Sequence, residues 1–251
     1  SDVEVGSFLS SGVDSSYVAA CFKGDKTFTV GFDYEKYNEI DYAKALSEKI
    51  EIDNYSKLIS TDEYWNILPT VQYHMDEPLA DPSAVALYFV SKTAAEHVKV
   101  SLSEGADEFF GGYNIYREPF SLRPLTRLPK PLRKFMGAVA SAVPFKIKGK
   151  NYIIRGSKDV EERFIGNAFL FNEKDREKIL KNPSGRYNHM ELTKPYYDKV
   201  KHLDDTTKMQ YIDIHFWLIG DILLKADKMS MANSLEVRVP FLDKEVFEVA
   251  R

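Results

Sequence analysis

Along the first hundred residues, short apolar runs alternate with stretches in which apolar side chains recur every three or four positions. This is the rhythm of strand and helix units that build a parallel sheet. Val3 to Leu9 reads as a strand, Asp14 to Phe22 as a helix, Thr27 to Phe32 as a strand and Glu39 to Lys49 as a helix. Ile52 to Ile59 follows as a third strand. Thr61 to His74 and Ser83 to Glu96 read as helices on either side of a loop from Pro78 to Pro82, and His97 to Ser103 reads as a further strand that runs into an acidic, helix-opening turn. Beyond about residue 113 the strand signals fade and the pattern turns helical over Val160 to Phe171, Glu173 to Leu180 and Asp204 to Met229. The expected fold is α/β: a parallel sheet with flanking helices over residues 1–113, then a mostly helical second half over 114–251. No internal repeat or low-complexity linker interrupts the chain.

With 251 residues, 44% of them hydrophobic, the chain can bury a large core. A net charge of -4 offers no global attraction to nucleic acid, so a polynucleotide partner is disfavoured. One segment departs from this balance: residues 117–155 hold ten Lys/Arg against the single acid Glu118, which reads as a solvated or interdomain surface. The sole cysteine, Cys21, excludes an internal disulfide, is expected to serve packing, and fits a reducing cytoplasm. Charges break the apolar runs before they reach the length of a membrane span, and no signal-peptide pattern opens the chain. The first residues run directly into a strand without a methionine and the last read as a helix in mid-course, so a longer polypeptide is expected.

Two loops carry the candidate chemistry. Ser10-Ser11-Gly12-Val13-Asp14-Ser15-Ser16 joins the first strand to the start of a helix, where unpaired backbone N–H groups and the helix dipole favour an anion. Gly12 permits close backbone approach, and Ser10, Ser11, Ser15 and Ser16 add hydroxyl donors. Asp14 would repel phosphate unless a Mg²⁺ lay between them. No Gly-Lys-Ser/Thr follows, so this is not a Walker A loop; the bland alternative is a serine-rich helix cap. The second loop, Ser101 to Glu108, also follows a strand and opens a helix. Its Glu104, Asp107 and Glu108 share one face of a turn, where like charges repel unless a cation or proton is shared. Loops at the carboxyl ends of parallel strands converge on one crevice, which makes Asp14 and Asp107 candidate ligands of a common metal.

These residues resemble the synthetase domain of the glutamine-dependent asparagine synthetases, members of the PP-loop ATP pyrophosphatases. The family loop reads Ser-Gly-Gly-x-Asp-Ser-Ser, matched here by Ser10 to Ser16. The second motif, Ser-Gly-Glu-Gly-Ala-Asp-Glu followed by Gly-Gly-Tyr, is matched by Glu104 to Glu108 and Gly111-Gly112-Tyr113. Asp76-Glu77-Pro78 with Asp81-Pro82-Ser83, and Ser230-Met231-Ala232 with Ser234 to Asp243, are similar to two further family signatures, so the resemblance covers nearly the whole chain. It implies activation of the aspartate side chain by ATP with Mg²⁺, release of pyrophosphate, and attack of ammonia on a β-aspartyl adenylate. By the same resemblance Asp14 and Asp107 would hold Mg²⁺, Glu104 would be the catalytic acid-base or orienting group, and Leu9, Val30, Leu102 and Ser103 would line the adenine and ribose pocket. Lys225 is a candidate catalytic residue and, with Asp221 one turn before it, a candidate for binding the substrate carboxylate. Glu236 and Arg238 read as a structural ion pair.

The chain departs from the family pattern at Ser11, which replaces a loop glycine, and at Leu102-Ser103, where Ser-Gly is usual. The cysteine-initiated glutaminase half that would supply ammonia, and the later segment bearing the family's catalytic lysine, are not among these residues. A homodimer of the full-length protein is compatible with the resemblance. Competing readings are a relative that amidates or cyclises another carboxylate, a nucleotide-binding module without turnover, and an RNA-modifying PP-loop enzyme.

Overall fold

The computed structural model describes residues 2–22, 24–34, 38–79, 81–103, 105–145, 147–167, 169–171, 173–182 and 188–250. In chain order the elements are β1 (Val5–Phe8), α1 (Val13–Phe22), β2 (Lys26–Phe32), α2 (Ile40–Ile50), β3 (Asp53–Ile59), α3 (Thr61–Met75), α4 (Ser83–Ala95), β4 (Val100–Leu102) and α5 (Asp107–Phe110). A 3₁₀ turn (Asn114–Arg117) leads into α6 (Glu118–Thr126), α7 (Lys130–Ala142), α8 (Lys150–Gly156), α9 (Val160–Arg163), α10 (Glu173–Ile179), α11 (His189–Lys199) and α12 (Asp205–Asp213). A π-helical stretch (Ile214–Leu223), α13 (Leu224–Met231), β5 (Glu236–Arg238) and α14 (Lys244–Ala250) complete the chain. These elements form two compact units: Ser1–Ala106 with Ile222–Arg251, and Asp107–Asp221.

In the first unit the strands form one all-parallel sheet in the order β3-β2-β1-β4-β5. The α/β class expected from the alternating pattern is what the structure shows. Alternate residues of β2 serve opposite faces, as the pleat requires. Phe28 and Val30 pack with Val90 and Leu87 of α4, whereas Thr27 bonds Ser47 of α2 at 2.9 Å. Helices therefore cover both faces, and the buried threonines are paired: Asn54 Nδ2 donates to Thr27 and Thr29 at 3.0 Å each, and Thr29 Oγ1 donates to the Leu9 carbonyl at 2.8 Å. Gly6 of β1 is small of necessity, because a Cβ there would lie 2.3 Å from the Phe28 ring. A second core cluster joins Ile59, Val71, Met75, Val85 and Met229, so α13 returns to pack with α3 and α4.

The strand after residue 113 is a correction to the sequence expectation. Residues Glu236–Arg238 lie beside β4, with Glu236 N–H donating to the Lys99 carbonyl at 3.0 Å and Ser103 N–H to the Arg238 carbonyl at 2.8 Å. The second unit is helical around Tyr116, Val160, Phe164, Tyr197, Met209 and Ile212. The helix expected over Val160 to Phe171 stops at Arg163, because Phe164 adopts an extended conformation and turns into that core, and Gly166 takes a left-handed conformation at φ 107°. The expected run from Asp204 to Met229 is helical throughout, with the π stretch in its middle.

Candidate functional site

β1 ends where β2 and β4 flank it, and the chain departs into the Ser10 to Ser16 loop at the sheet's carboxyl edge. Leu9 is buried, its N–H donating to the Phe28 carbonyl at 2.8 Å. The loop then folds around its own serines. Ser15 Oγ accepts from the Ser10 N–H at 3.1 Å and lies 2.8 Å from Ser10 Oγ, and Ser10 Oγ accepts from the Gly12 N–H at 3.1 Å. The hydroxyls of Ser15 and Ser16 both donate to the Gly12 carbonyl, at 3.2 and 2.7 Å. Three of the four serines expected to face a ligand are thus engaged in the loop's own scaffold. The fourth, Ser11, points to Glu39 at the entrance to α2: its N–H lies 3.3 Å from one carboxylate oxygen and its hydroxyl donates to the other at 2.8 Å. Glu39 does not cap its own helix; Asn38 Oδ1 accepts the Ile40 N–H at 3.1 Å instead.

The first N–H groups of α1, those of Val13, Asp14 and Ser15, have no acceptor one turn back and open toward the end of the helix dipole. Asp14 is half-buried in this turn, and no ion pair or hydrogen bond engages its carboxylate among the described residues.

Beside the loop lies a cavity of about 620 Å³, within the range of small-molecule sites. Leu9, Ser10, Ser15, Val30 and Ser103 line it, bringing together five of the residues expected at a nucleotide. Leu102 instead packs with Val5, Val18 and Val100. The remaining wall is apolar, from Phe8, Phe28, Phe32, Ala86, Leu87 and Val90, with polar edges at Glu39 and Ser83. Of these two polar edges, Ser83 belongs to the Asp81-Pro82-Ser83 signature, whereas Glu39 lies in no motif of the sequence. Glu39 sits 28 positions from its partner Ser11, and no local pattern announces the pairing.

Several expected site residues have other surroundings. Glu104 lies outside the described residues. Asp107 opens α5 in the second unit, and its carboxylate lies over Gly112 so closely that a Cβ there would come within 1.8 Å of Oδ1. That contact, with φ 73° at Gly111, explains the glycine pair of the second motif. Glu108 is 1% exposed and accepts the Tyr113 hydroxyl at 2.7 Å, a structural arrangement that raises the Tyr113 pKa through burial and the nearby carboxylate. Asp221 is buried on the π stretch. Lys225 is buried and ion-paired with Asp81, whose carboxylate also accepts the Ser83 N–H at 2.9 Å. Burial alone would raise the Asp81 pKa, but the Lys225 ammonium and that N–H outweigh it and hold the carboxyl below its usual value. Lys228 on the same helix pairs with Asp76, so α13 is clamped to the 76–83 segment by two ion pairs.

The whole chain, residues 1–251, matches the family model described as asparagine synthase. The chain belongs to the asparagine synthase family. It is 51% identical over 255 residues to "Asparagine synthetase [glutamine-hydrolyzing] 1" of Bacillus subtilis (strain 168), covering 100% of this chain and 40% of that protein. A Mycobacterium tuberculosis (strain ATCC 25618 / H37Rv) protein assigned to the glutamine-hydrolysing asparagine synthetases is 49% identical over 254 residues, covering 99% and 39%. More distantly, "Amidase chyE" of Penicillium rubens is 25% identical over 288 residues, covering 98% and 42%. The chain thus spans about two fifths of the length of these relatives.

Among this family member's other sequence expectations, the basic segment 117–155 is partly neutralised within the helical unit. Lys130 and Arg133 meet Asp159, Lys134 meets Glu162, and Arg155 meets Glu118. Glu236 and Arg238 form the expected ion pair at 2.8 Å. Cys21, expected to serve packing, is instead exposed on α1. No helix among the described residues is long and apolar enough to cross a membrane.

Proposed function

We propose that this chain is the ATP-using synthetase part of a glutamine-hydrolysing asparagine synthetase, converting aspartate to asparagine. The observation that carries the reading is the apolar cavity bounded by Leu9, Val30 and Ser103 against the serine loop at the start of α1, in a chain of the asparagine synthase family. The cavity fits an adenosine moiety, and the first-turn N–H groups of α1 fit an anion. In the reaction, a side-chain carboxylate oxygen of aspartate attacks the α-phosphorus of ATP. The bond to the β-phosphate oxygen breaks, leaving β-aspartyl-AMP and pyrophosphate. Ammonia, supplied by a glutaminase domain, then displaces AMP to give asparagine.

The α1 N–H groups stabilise charge that develops on the departing pyrophosphate. Asp14 fits a hard cation: it is an oxygen ligand beside the anion loop whose carboxylate is not engaged among the described residues. Asp107, with the space above Gly112 reserved for its carboxylate, is the proposed second ligand. A Mg²⁺ held there would neutralise the polyphosphate. Glu104 is assigned the acid-base or orienting role. Lys225, with Asp221, is assigned the substrate carboxylate, and Asp81 holds Lys225 in place.

The test is aspartate-dependent pyrophosphate release by the full-length protein with ammonia, comparing wild type with Asp14→Ala. Loss of at least about a hundredfold in kcat/KM is expected for the variant, the scale of removing a group that stabilises transition-state charge. Release that depends on another acid and not on aspartate would replace the asparagine assignment. That second reading, amidation of a different carboxylate, draws on the match to a protein named as an amidase.

A further inference from the structure

We infer that Glu39 is a latch on the pyrophosphate loop, a positioning residue that must release Ser11 before nucleotide binds and so sets the affinity of this chain for ATP. The inference rests on the nucleotide reading above and concerns one contact within the sheet-bearing unit. Both oxygens of the Glu39 carboxylate are committed to Ser11, one to its N–H at 3.3 Å and the other to its hydroxyl at 2.8 Å. A carboxylate that accepts from a loop amide and a loop hydroxyl occupies them as a phosphate oxygen would, so it competes for the same donors. Ser11 stands where the family pattern has glycine, and its hydroxyl supplies the stronger of the two bonds. A glycine loop could offer Glu39 only the amide.

The surroundings agree. Glu39 is itself one of the residues that border the cavity lined by Leu9, Ser10, Ser15 and Val30, so its charge lies beside the space a triphosphate would enter. Its carboxylate has no duty in α2, because Asn38 caps that helix. Ser11 is exposed and Glu39 only half-buried, so the contact opens without disturbing the core. Swinging the side chain away frees the Ser11 N–H and removes a negative charge from the path of the phosphates. The remaining scaffold of Ser10, Ser15, Ser16 and Gly12 keeps its own hydrogen bonds in either position.

The experiment measures binding of inorganic pyrophosphate and of Mg-ATP, by calorimetry on the full-length protein, for wild type, Glu39→Gln, Ser11→Gly and the double variant. Breaking one hydrogen bond to a charged group in a solvated setting corresponds to about a five- to tenfold change in affinity. Glu39→Gln is expected to bind both ligands more tightly by about that factor, with the gain in activity assays falling on the KM for ATP. Ser11→Gly is expected to give a smaller gain, and the double variant no more than Glu39→Gln alone, because the two changes remove the same contact. Unchanged affinity in both single variants overturns the latch. Weaker ATP binding with pyrophosphate binding intact in Glu39→Gln also overturns it, and makes Glu39 a ribose contact. Weaker binding of both ligands makes it a support of the loop and is equally fatal. If wild type binds neither ligand, the nucleotide reading itself falls and the latch falls with it, an outcome distinct from the other three. Equal thermal midpoints across the variants exclude misfolding as the cause.

Discussion

Two pairs of carboxylates, one in each unit, are kept in opposite ways. In the sheet-bearing unit Asp14 lies half-exposed at a helix start without an engaged partner among the described residues, and Glu39 holds Ser11 through contacts that water can replace. In the helical unit Asp213 is fully buried and accepts the Tyr116 hydroxyl at 2.7 Å, the Asn167 N–H at 2.8 Å and the Asn167 side-chain amide at 2.9 Å, while Glu108 accepts the Tyr113 hydroxyl. A buried carboxylate whose lone pairs are filled belongs to the framework, because any exchange of partners would strand donors away from water. A carboxylate near the surface exchanges partners cheaply and can meet a ligand. The difference separates acids that hold the fold from acids available for chemistry, although both kinds occur in this one chain.

The contrast is sharpest in stability. Asp213→Ala leaves the Tyr116 hydroxyl and two Asn167 donors unpaired in the core, and about 4 kcal/mol of unfolding free energy should be lost in urea titration. A loss below about 1 kcal/mol would mean that the network is dispensable and the contrast false.

The same residue should impose a pH dependence. Burial is the largest influence on Asp213 and raises its pKa from 3.8 to about 6, against the lowering effect of its hydrogen bonds. A folded-state pKa above the unfolded value makes its contribution to stability fully present below about pH 4 and progressively lost as pH rises through about 6. The stability of wild type relative to Asp213→Asn should therefore fall by an amount of order 2 kcal/mol between pH 4 and pH 7. A constant difference would show that Asp213 does not titrate there.

Lys225→Met tests an intermediate case, since it leaves Asp81 without its ammonium partner in a partly buried place. About 2 kcal/mol of destabilisation is expected by chemical denaturation, and an accompanying Asp81→Ala change should recover part of it. Gly112→Ala should cost about 1–2 kcal/mol, because its Cβ would displace the Asp107 carboxylate. At the other extreme Asp14→Ala should leave the urea midpoint within about 0.5 kcal/mol of wild type while abolishing ATP-dependent turnover. A large stability loss there would move Asp14 into the framework class.

Much of the sheet-bearing unit was legible in the sequence. Its strands and helices carry local signals: alternating apolar positions in β2 and apolar side chains recurring at helical spacing in α3. Their ends shifted by a residue or two, except at β4, which is shorter than the run from His97 to Ser103. The helical unit was legible only in class. Prolines 119, 124, 131 and 195 interrupt the pattern over α6, α7 and α11, and in three dimensions they sit in first turns or are tolerated within the helices.

By itself the sequence determined the parallel α/β core, the serine loop at the start of α1 and the membership of the family, because each rests on residues close together in the chain. Only the tertiary structure decided that Glu236–Arg238 is a strand. Its three residues are exposed, half-buried and exposed, an alternation too short to specify a strand by itself, and they become β-structure because β4 offers backbone groups that must be paired. The tertiary structure likewise decided where the loop's donors go. Ser11 and Glu39 are 28 residues apart, and they meet because β2 lies beside β1 in the parallel sheet and delivers the chain to the start of α2 next to the loop.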